Sequence, residues 1–520
     1  MNSPPILDEI QVKEYDFDDH SFHTHAQQRG LGPAGIIINP PEEAGGHNFI
    51  PFNIEDRDFH INIPPPTPLE LFQLFTPISL IQSWVYYSES WVSHLIQNGV
   101  IDSYNSAISN HCGSISGTGS QLHKCNEEDL PKAFQAAEPW SDLIQKVSAQ
   151  LYIPGNNITV DECMVPFTGR SKDTTLVKNK PTPVGFKVWV IAQNGLFIRW
   201  MWHVKASPYT AIIVELPKKK PAAKPQQGKK RKGRPKETIA LSNTAGVVIH
   251  LVNMLPKQTY HVFMDNLFSS PNLFRALREA GHGATGTARP NCGITKELKL
   301  AKGKDKAGAS GFKYNEVKSI PTIDDLVAQI AWKDNSLVLF LSTVYSGADD
   351  QRTLKRRKKP ANKGAQSKPI QETFGDAVIK VIPIPTISAS YNDEMNHVDR
   401  GDQIRSYTSY EHRFRRGPWQ ALLWSFLLDV ALANSFILQL KTSQPRWPPY
   451  KALESWKRCI SDALFIKFAQ ESGARKRSRA GKEEDMNDTQ SRQNHLQRDI
   501  NHLIHEVGIE EAQKYEWVLD

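Results

Sequence analysis

A chain of 520 residues is long enough to bury a substantial core and to hold more than one structural region, and a hydrophobic content of 39% points to a soluble globular body with polar appendages. The net charge of +8 and pI near 9.0 favour a polyanionic partner such as nucleic acid. Cysteines at 112, 125, 163, 292 and 459 form no Cys-x-x-Cys pair, which argues against a disulfide framework and suits a reducing compartment.

The opening MNSPPILDEI lacks the basic flank and apolar run of a signal peptide. Residues 1–66, rich in Pro, His and acids and ending in Pro64-Pro65-Pro66, are expected to be disordered. Thr67-Pro68-Leu69-Glu70 then supplies an N-cap, a first-turn proline and a capping-box acid. A second helix is expected from Pro77 past Trp84 to Ile96. From Asn98 to Ala137 the sequence is Ser/Gly-rich; His111, Cys112, His123 and Cys125 there match no common zinc-finger spacing and read as a loop. Leu143, Ile144, Val147 and Leu151 keep helical spacing from Trp140 onward.

Val160 opens VDECMVPFTGR, an apolar lead into Asp161 and Glu162, followed by the Phe167-Thr168-Gly169-Arg170 turn. Pro181, Pro183 and Gly185 break the chain before the strand-like Phe186-Lys187-Val188-Trp189-Val190. Such an acid pair before a turn can be a solvated cap or a metal ligand. Leu196–His203 and Ala211–Leu216 read as strands. The run from Pro217 to Lys236, with ten Lys/Arg and no acid, must loop out ahead of a helix at Thr244–Leu255. Within it Lys232-Gly233-Arg234-Pro235 resembles the AT-hook core, an extended segment that lies in a narrow A·T minor groove; nuclear import and nonspecific phosphate contact are the competing readings.

Tyr260-His261-Val262-Phe263-Met264 is a short strand pattern that delivers Asp265-Asn266 into a helix opening at Ser269-Ser270-Pro271. Leu337 to Leu341 reads as a buried strand, and Arg352–Lys359 and Arg475–Arg479 are further basic clusters. Met395 to Tyr407 can be helical, which puts Asp399 and Asp402 on one face. Arg413, Arg415, Arg416 and Trp419 form a basic-aromatic patch, open to reading as a phosphate clamp or a helix start. Trp419–Leu440 is long enough to span a membrane, yet Gln420, Asp429, Asn434 and Gln439 interrupt it, so a buried core helix is expected. In the tail two short helices are expected, near Tyr450–Phe468 and Ser491–Val507, with charged, disordered sequence at Gly473–Asp488.

Three acids on separate elements, each at an element end, suit a divalent cation site. Three blocks carry a resemblance: VDECMVPFTGR with KPTPVGFKVWV, VFMDNLFSSPNLFRALREAGHGATGTARPN, and YNDEMNHVDRGDQIRSY. In that order they resemble the blocks of piggyBac-type transposases, and with Gln329–Asp334, Val338–Thr343 and Ala433–Phe436 the similarity takes in Pro68 to Leu440.

The resemblance implies an α/β fold: an RNase H-like catalytic core, a mixed sheet flanked by helices, with an N-terminal helical region, an inserted subdomain and disordered basic loops. The first two acids would lie on adjacent strands, and a following helix would bring in the third. The implied organisation is a tail at 1–66, a partial helical dimerisation and DNA-binding region at 67–139, the core at 140–440 with the basic insertion 217–236 and an inserted subdomain at about 290–385, and a helical and disordered tail at 441–520. Asp161, Asp265 and Asp399 would be the catalytic, metal-binding aspartates, with Asp402 as the nearby fourth acid. Phosphodiester cleavage would use two Mg²⁺ ions about 4 Å apart, held by hard oxygen donors, with Mn²⁺ as the alternative ion. Lys180, Lys187 and Arg289 match basic positions of the family blocks and would steer phosphate, beside Lys232, Arg234, Arg413, Arg415 and Arg416.

The resemblance further implies cut-and-paste movement of DNA at TTAA targets, a homodimer, no membrane and a nuclear location. The alternative is a transposase-derived nuclear DNA-binding protein that does not cut. Three departures favour it. The helical segment before the first block is short, the family's C-terminal cysteine-rich module is missing, and Asn396-His397 stands where the family has Gly-Gly before Val398-Asp399.

Overall fold

Alternating and fully apolar runs dominate the middle of the sequence, and in a computed structural model they become one large mixed sheet. The structure describes residues 12–13, 45–98, 132–169, 171–177, 183–204, 213–217, 236–361, 367–406, 419–442 and 450–479. The chain divides into two units. The first comprises Met1–His60, Tyr152–Cys163 and Lys187–Asp402, and the second Ile61–Leu151, Met164–Phe186 and Gln403–Asp520.

In chain order the strands used below are β1 (Asn157–Pro166), β2 (Thr175–Leu176), β3 (Val184–Gln193), β4 (Leu196–Trp202), β5 (Ile213–Pro217), β6 (Lys236–Ala240), β7 (His261–Met264), β8 (Gly283–Thr287), β9 (Val317–Pro321), β10 (Ala328–Lys333), β11 (Leu337–Ser342), β12 (Arg352–Lys358) and β13 (Ile379–Pro385). The sheet has nine strands in the order β9-β10-β11-β8-β7-β1-β3-β2, with β4 on β3. Its centre is parallel: β7 pairs β1 on one side and β8 on the other. Its flanks are antiparallel, through β8 with β11, β11 with β10 and β10 with β9. The β3–β4 hairpin turns on Asn194-Gly195, both at positive φ (55° and 89°), as a tight two-residue connection requires.

Parallel strands need crossovers, and helices supply them. Pro271–Glu279 joins β7 to β8; Ser270 caps it through the Leu273 N–H and Pro271 occupies its first turn. Leu273, Phe274 and Leu277 on this helix are buried, as are Val247, Val248, Leu251 and Val252 on Asn243–Asn253. Three strands of the expected inserted subdomain, β9 to β11, extend the same sheet as β1 and β7, and the β12–β13 hairpin forms a separate two-stranded sheet. Three of the five basic residues of β12 are ion-paired: Arg352 with Asp349, Lys355 with Asp393, and Arg357 with Asp334 at 2.7 Å.

The first correction concerns the N-terminal segment. Residues 45–60, expected to be disordered, run along the first unit as an ordered strap. The Gly46 N–H donates to the Pro321 carbonyl, Phe52 N–H to Thr343, and Asn156 N–H to the Arg57 carbonyl, while the Arg278 guanidinium donates to the Ile50 carbonyl at 2.6 Å. Such a strap gains its order from distant strand edges, so it leaves no periodic signal in its own sequence. The basic insertion leaves from β5 and returns at β6, which pair antiparallel with Pro217 opposite Lys236. Its residues 218–235, with Lys232 and Arg234, lie outside the described residues, as do the His/Cys loop at 111–125 and the helix expected at Ser491–Val507.

From Pro68 onward the described residues of the second unit outside 164–186 are mainly helical. Pro68–Phe75 carries the expected capping box, with the Thr67 hydroxyl accepting from the Glu70 N–H at 3.2 Å and the Glu70 carboxylate accepting from the Thr67 N–H at 3.1 Å. Ile78–Gln97 and Glu138–Leu151 follow, and Trp84, Trp140 and Trp424 bring their rings together with centroids 4.2 to 5.8 Å apart. One helix, Ala421–Lys441 within Trp419–Lys441, is long and apolar enough to cross a membrane by length and composition, with mean hydropathy 1.8. It is packed as a core helix: Leu423, Phe426, Leu427 and Val430 are buried, and Asn434 donates to the Ser148 hydroxyl at 2.9 Å. The second correction concerns the tail, where Leu453–Arg479 is one helix of 27 residues running through Gly473. Its Ala, Arg, Lys and Glu content carries enough helix propensity to absorb the cost of one glycine, about 1 kcal/mol.

Candidate functional site

Period-2 alternation makes one face of the sheet centre polar. β1 turns Asn157, Thr159 and Asp161 to that face, β7 turns His261 and Phe263, and β8 turns Thr285. In-register pairing joins them, with His261 opposite both Asn157 and Gly283, and the His261 Nε2 to Thr285 Oγ1 distance is 2.8 Å. Val160 pairs Met264, and Met264 pairs Gly286. The next residue along each of these stretches therefore falls on one level: Asp161 within β1, Asp265 just past the end of β7 and Thr287 at the end of β8. The expectation that the first acid closes its strand is corrected here, since β1 runs on from Asp161 to Pro166. Neighbouring strands lie about 4.8 Å apart, so the first two acids have the spacing to share a pair of cations about 4 Å apart.

Each acid is held differently. Asp161 is buried, 8% exposed, and its Oδ1 accepts the Glu162 N–H at 2.8 Å. Asp265 is half-buried in a turn of its own making: Oδ1 accepts from the Leu267 N–H at 2.7 Å, and its carbonyl accepts from the Ser269 hydroxyl at 2.9 Å. Asp399 is exposed in the first turn of the helix His397–Ser406, with Asp402 half-buried one turn on. That helix lies close over the β3–β4 turn, because a Cβ on Gly401 would meet the Gly195 carbonyl and the Phe197 ring.

Tyr391, which the sequence reading passes over, adjoins the Thr287 end of the Asp161-Asp265-Thr287 row. Its hydroxyl lies 3.2 Å from Thr287 Oγ1. Burial pushes its pKa well above the ordinary tyrosine value; the Thr287 bond opposes that rise, and the charges of Asp265, Asp161 and Asp399 all add to it. One side chain thus lies in the field of all three aspartates. Among the described residues, no three His, Cys, Asp or Glu side chains are gathered tightly enough to form a ready-made metal cage. A two-plus-one set of carboxylates still fits Mg²⁺, which takes one or two carboxylates together with waters and substrate phosphates.

Of the expected DNA contacts, Arg289 is exposed and its Nε donates to Asn266 Oδ1 at 2.7 Å, which puts a cation beside the Asp265 turn. Lys187 is placed otherwise. It is 7% exposed, its Nζ lies 3.6 Å from the Glu162 carboxylate and 3.9 Å from the centre of the Trp189 ring. Burial pulls its pKa down, while Glu162, Asp161 and Asp265 oppose that fall. Its ammonium therefore faces a buried carboxylate, and the expectation of a phosphate contact there is corrected to a buried ion pair. Lys180, Arg413, Arg415 and Arg416 lie outside the described residues.

Gly286 ties the sheet to the Asp265 turn. A Cβ there would strike the Ser269 hydroxyl and come within 2.6 Å of the Met264 carbonyl oxygen. Gly286→Val is expected to destabilise the fold by about 1–3 kcal/mol, read as a lower midpoint in urea unfolding. An unchanged midpoint would mean that the turn yields freely.

A family profile described as Transposase IS4 matches residues 120–436. The human PiggyBac transposable element-derived protein 2 is 24% identical over 308 residues, covering 58% of this chain and 43% of that protein. The human PiggyBac transposable element-derived protein 3 is 24% identical over 355 residues, covering 66% of this chain and 50% of that protein. This chain thus spans about half the length of these relatives. A cryo-EM structure of a piggyBac transposase synaptic complex with hairpin DNA superposes with a TM-score of 0.49 at 16% identity, over 78% of this chain and 82% of that one.

Proposed function

The chain belongs to the piggyBac transposase family, and from that premise we propose that it is a DDD transposase with an RNase H-like core, cleaving and rejoining DNA strands in the nucleus. The observation that carries the reading is the register that sets Asp161, within β1, level with Asp265, just past the end of the neighbouring parallel β7, with the charges of both and of Asp399 bearing on Tyr391. Asp161, Asp265 and Asp399 would hold two Mg²⁺ ions, with Asp402 supporting, and the chemistry such a pair would supply is activation of the attacking oxygen and stabilisation of the leaving one.

The protein's own part is to position. The β1–β7 register sets two carboxylates side by side, the buried Asp161 admits little water, and the Asp265 turn keeps its carboxylate at the helix mouth. Arg289 offers a cation to the backbone phosphate beside Asp265. Lys180, Lys232, Arg234, Arg413, Arg415 and Arg416 would add nonspecific phosphate contacts, and residues 67–139 would contribute dimerisation and DNA binding. TTAA is the expected target.

The test is nicking of supercoiled plasmid carrying the element ends. Conversion to the relaxed form in Mg²⁺ or Mn²⁺, abolished by EDTA, is the expected result; equal conversion in EDTA would overturn it. A second reading, DNA binding without cleavage, is favoured by Asn396-His397, which stand where the family has Gly-Gly before Val398-Asp399. A gel shift without nicking in either ion would establish that reading.

A further inference from the structure

The helix Thr386–Glu394 ends on a side chain that reaches two elements at once. Glu394 Oε1 accepts from Asn157 Nδ2 at 3.1 Å, its Oε2 lies 2.7 Å from His397 Nε2, and its backbone carbonyl accepts from the Thr159 hydroxyl at 2.8 Å. Asn157 and Thr159 stand on the face of β1 that carries Asp161. His397 stands two residues before Asp399, in the same helical turn. One residue therefore spans from the strand of the first acid to the helix of the third.

The surroundings make this span stiff. His397 is 5% exposed. Asn157 is itself braced, because its carbonyl accepts from the Gln193 amide, whose oxygen in turn accepts from the Gly155 N–H at 2.9 Å and the Tyr152 hydroxyl at 3.0 Å. Burial alone would raise the Glu394 pKa, but the bonds with His397 and Asn157 and the nearby Arg400 together hold it below the ordinary carboxylate value. Glu394 is thus an anion at neutral pH, able to accept from both partners. A glycine at 397 would have nothing to offer it.

We infer that Glu394 and His397 form a positioning latch that sets the distance of Asp399 from Asp161 and so the affinity of the site for divalent cations. The inference rests on the metal-site reading above. In this chain the histidine that replaces a family glycine then becomes the brace of the third acid.

The experiment is Mn²⁺ titration of the full chain, followed by the loss of the free-ion EPR signal, with thermal unfolding measured in parallel. Wild type is expected to bind Mn²⁺, and Asp161→Asn to abolish that binding. Glu394→Ala and His397→Ala should each weaken it about tenfold, the range found when partners behind metal ligands are removed. The double variant should be no weaker than the worse single one. Glu394→Gln, which keeps an acceptor for Asn157, should recover to within about threefold. Should Glu394→Ala fail to fold, His397→Ala carries the same criterion. A lowered melting temperature with Mn²⁺ affinity within twofold of wild type would overturn the latch alone, leaving the metal site standing. No Mn²⁺ binding by wild type, or equal binding by Asp161→Asn, would overturn the metal-site reading and the latch with it.

Discussion

Asp265→Asn is expected to lower Mg²⁺-dependent plasmid nicking by about 10³-fold or more, equivalent to about 4 kcal/mol of transition-state stabilisation, while gel-shift binding stays within about twofold of wild type. The substitution isolates charge from shape. Asparagine keeps an Oδ1 that can accept from the Leu267 N–H, and the bond from the Ser269 hydroxyl goes to the backbone carbonyl, which is unchanged. The turn should therefore survive, and with it the β7 register to β1 and β8. What is lost is the charge on one of the two carboxylates that the register sets level, and with it, on the proposed metal-site reading, one anionic oxygen ligand. Retained nicking would remove Asp265 from the chemistry and leave the family resemblance without its central residue.

Lys187→Met is expected to cost about 3–5 kcal/mol of stability, the range seen when one partner of a buried ion pair is removed. Methionine fills much of the same volume, so the loss traces to charge. The Glu162 carboxylate would remain in a pocket where both side chains are under a tenth exposed, without the ammonium 3.6 Å away. The stack on Trp189 would lose its cation as well. Replacing Glu162 by leucine in the same molecule should recover most of the stability, because an apolar pair of similar volume needs no counter-charge. Urea unfolding of the two singles and the double measures this directly. If Lys187 instead steered phosphate, the single variant would unfold at the wild-type midpoint and show a shallower salt dependence of DNA binding by about one charge.

Local signals account for what the sequence reveals. Thr67 to Glu70 spells out its own cap within four residues, and Ser270-Pro271 does the same for the helix after β7. The apolar strings at 186–190, 260–264 and 337–341 name strands because a sheet interior demands side chains on both faces. The resemblance blocks then assign Asp161, Asp265 and Asp399 to two strand ends and a helix; Asp265 does follow the end of its strand and Asp399 is helical, whereas Asp161 lies mid-strand because β1 continues to Pro166. The rest depends on pairing between distant residues. No local pattern states that Val160 lies beside Met264, yet this register decides that two acids stand level. Tyr391 is one aromatic in a weakly amphipathic helix, and its meaning comes from Thr287 and three aspartates on other elements. The Glu162–Lys187 pair is hidden for the same reason: each residue alone reads as surface charge. The strap at 45–60 has no core of its own and takes its hydrogen bonds from strand edges far along the chain.

The division of the chain has a further consequence for how such a protein can be inherited or dissected. Each unit is assembled from three separate lengths of polypeptide, interleaved along the sequence. Neither can be released whole by one proteolytic cut, nor transplanted into another protein as a single contiguous cassette. An exon boundary placed within the interleaved middle would have to keep both halves in frame to preserve either. Variation should accordingly collect in excursions such as the one between β5 and β6, whose ends meet and whose contents can lengthen or shrink without reordering what lies on either side.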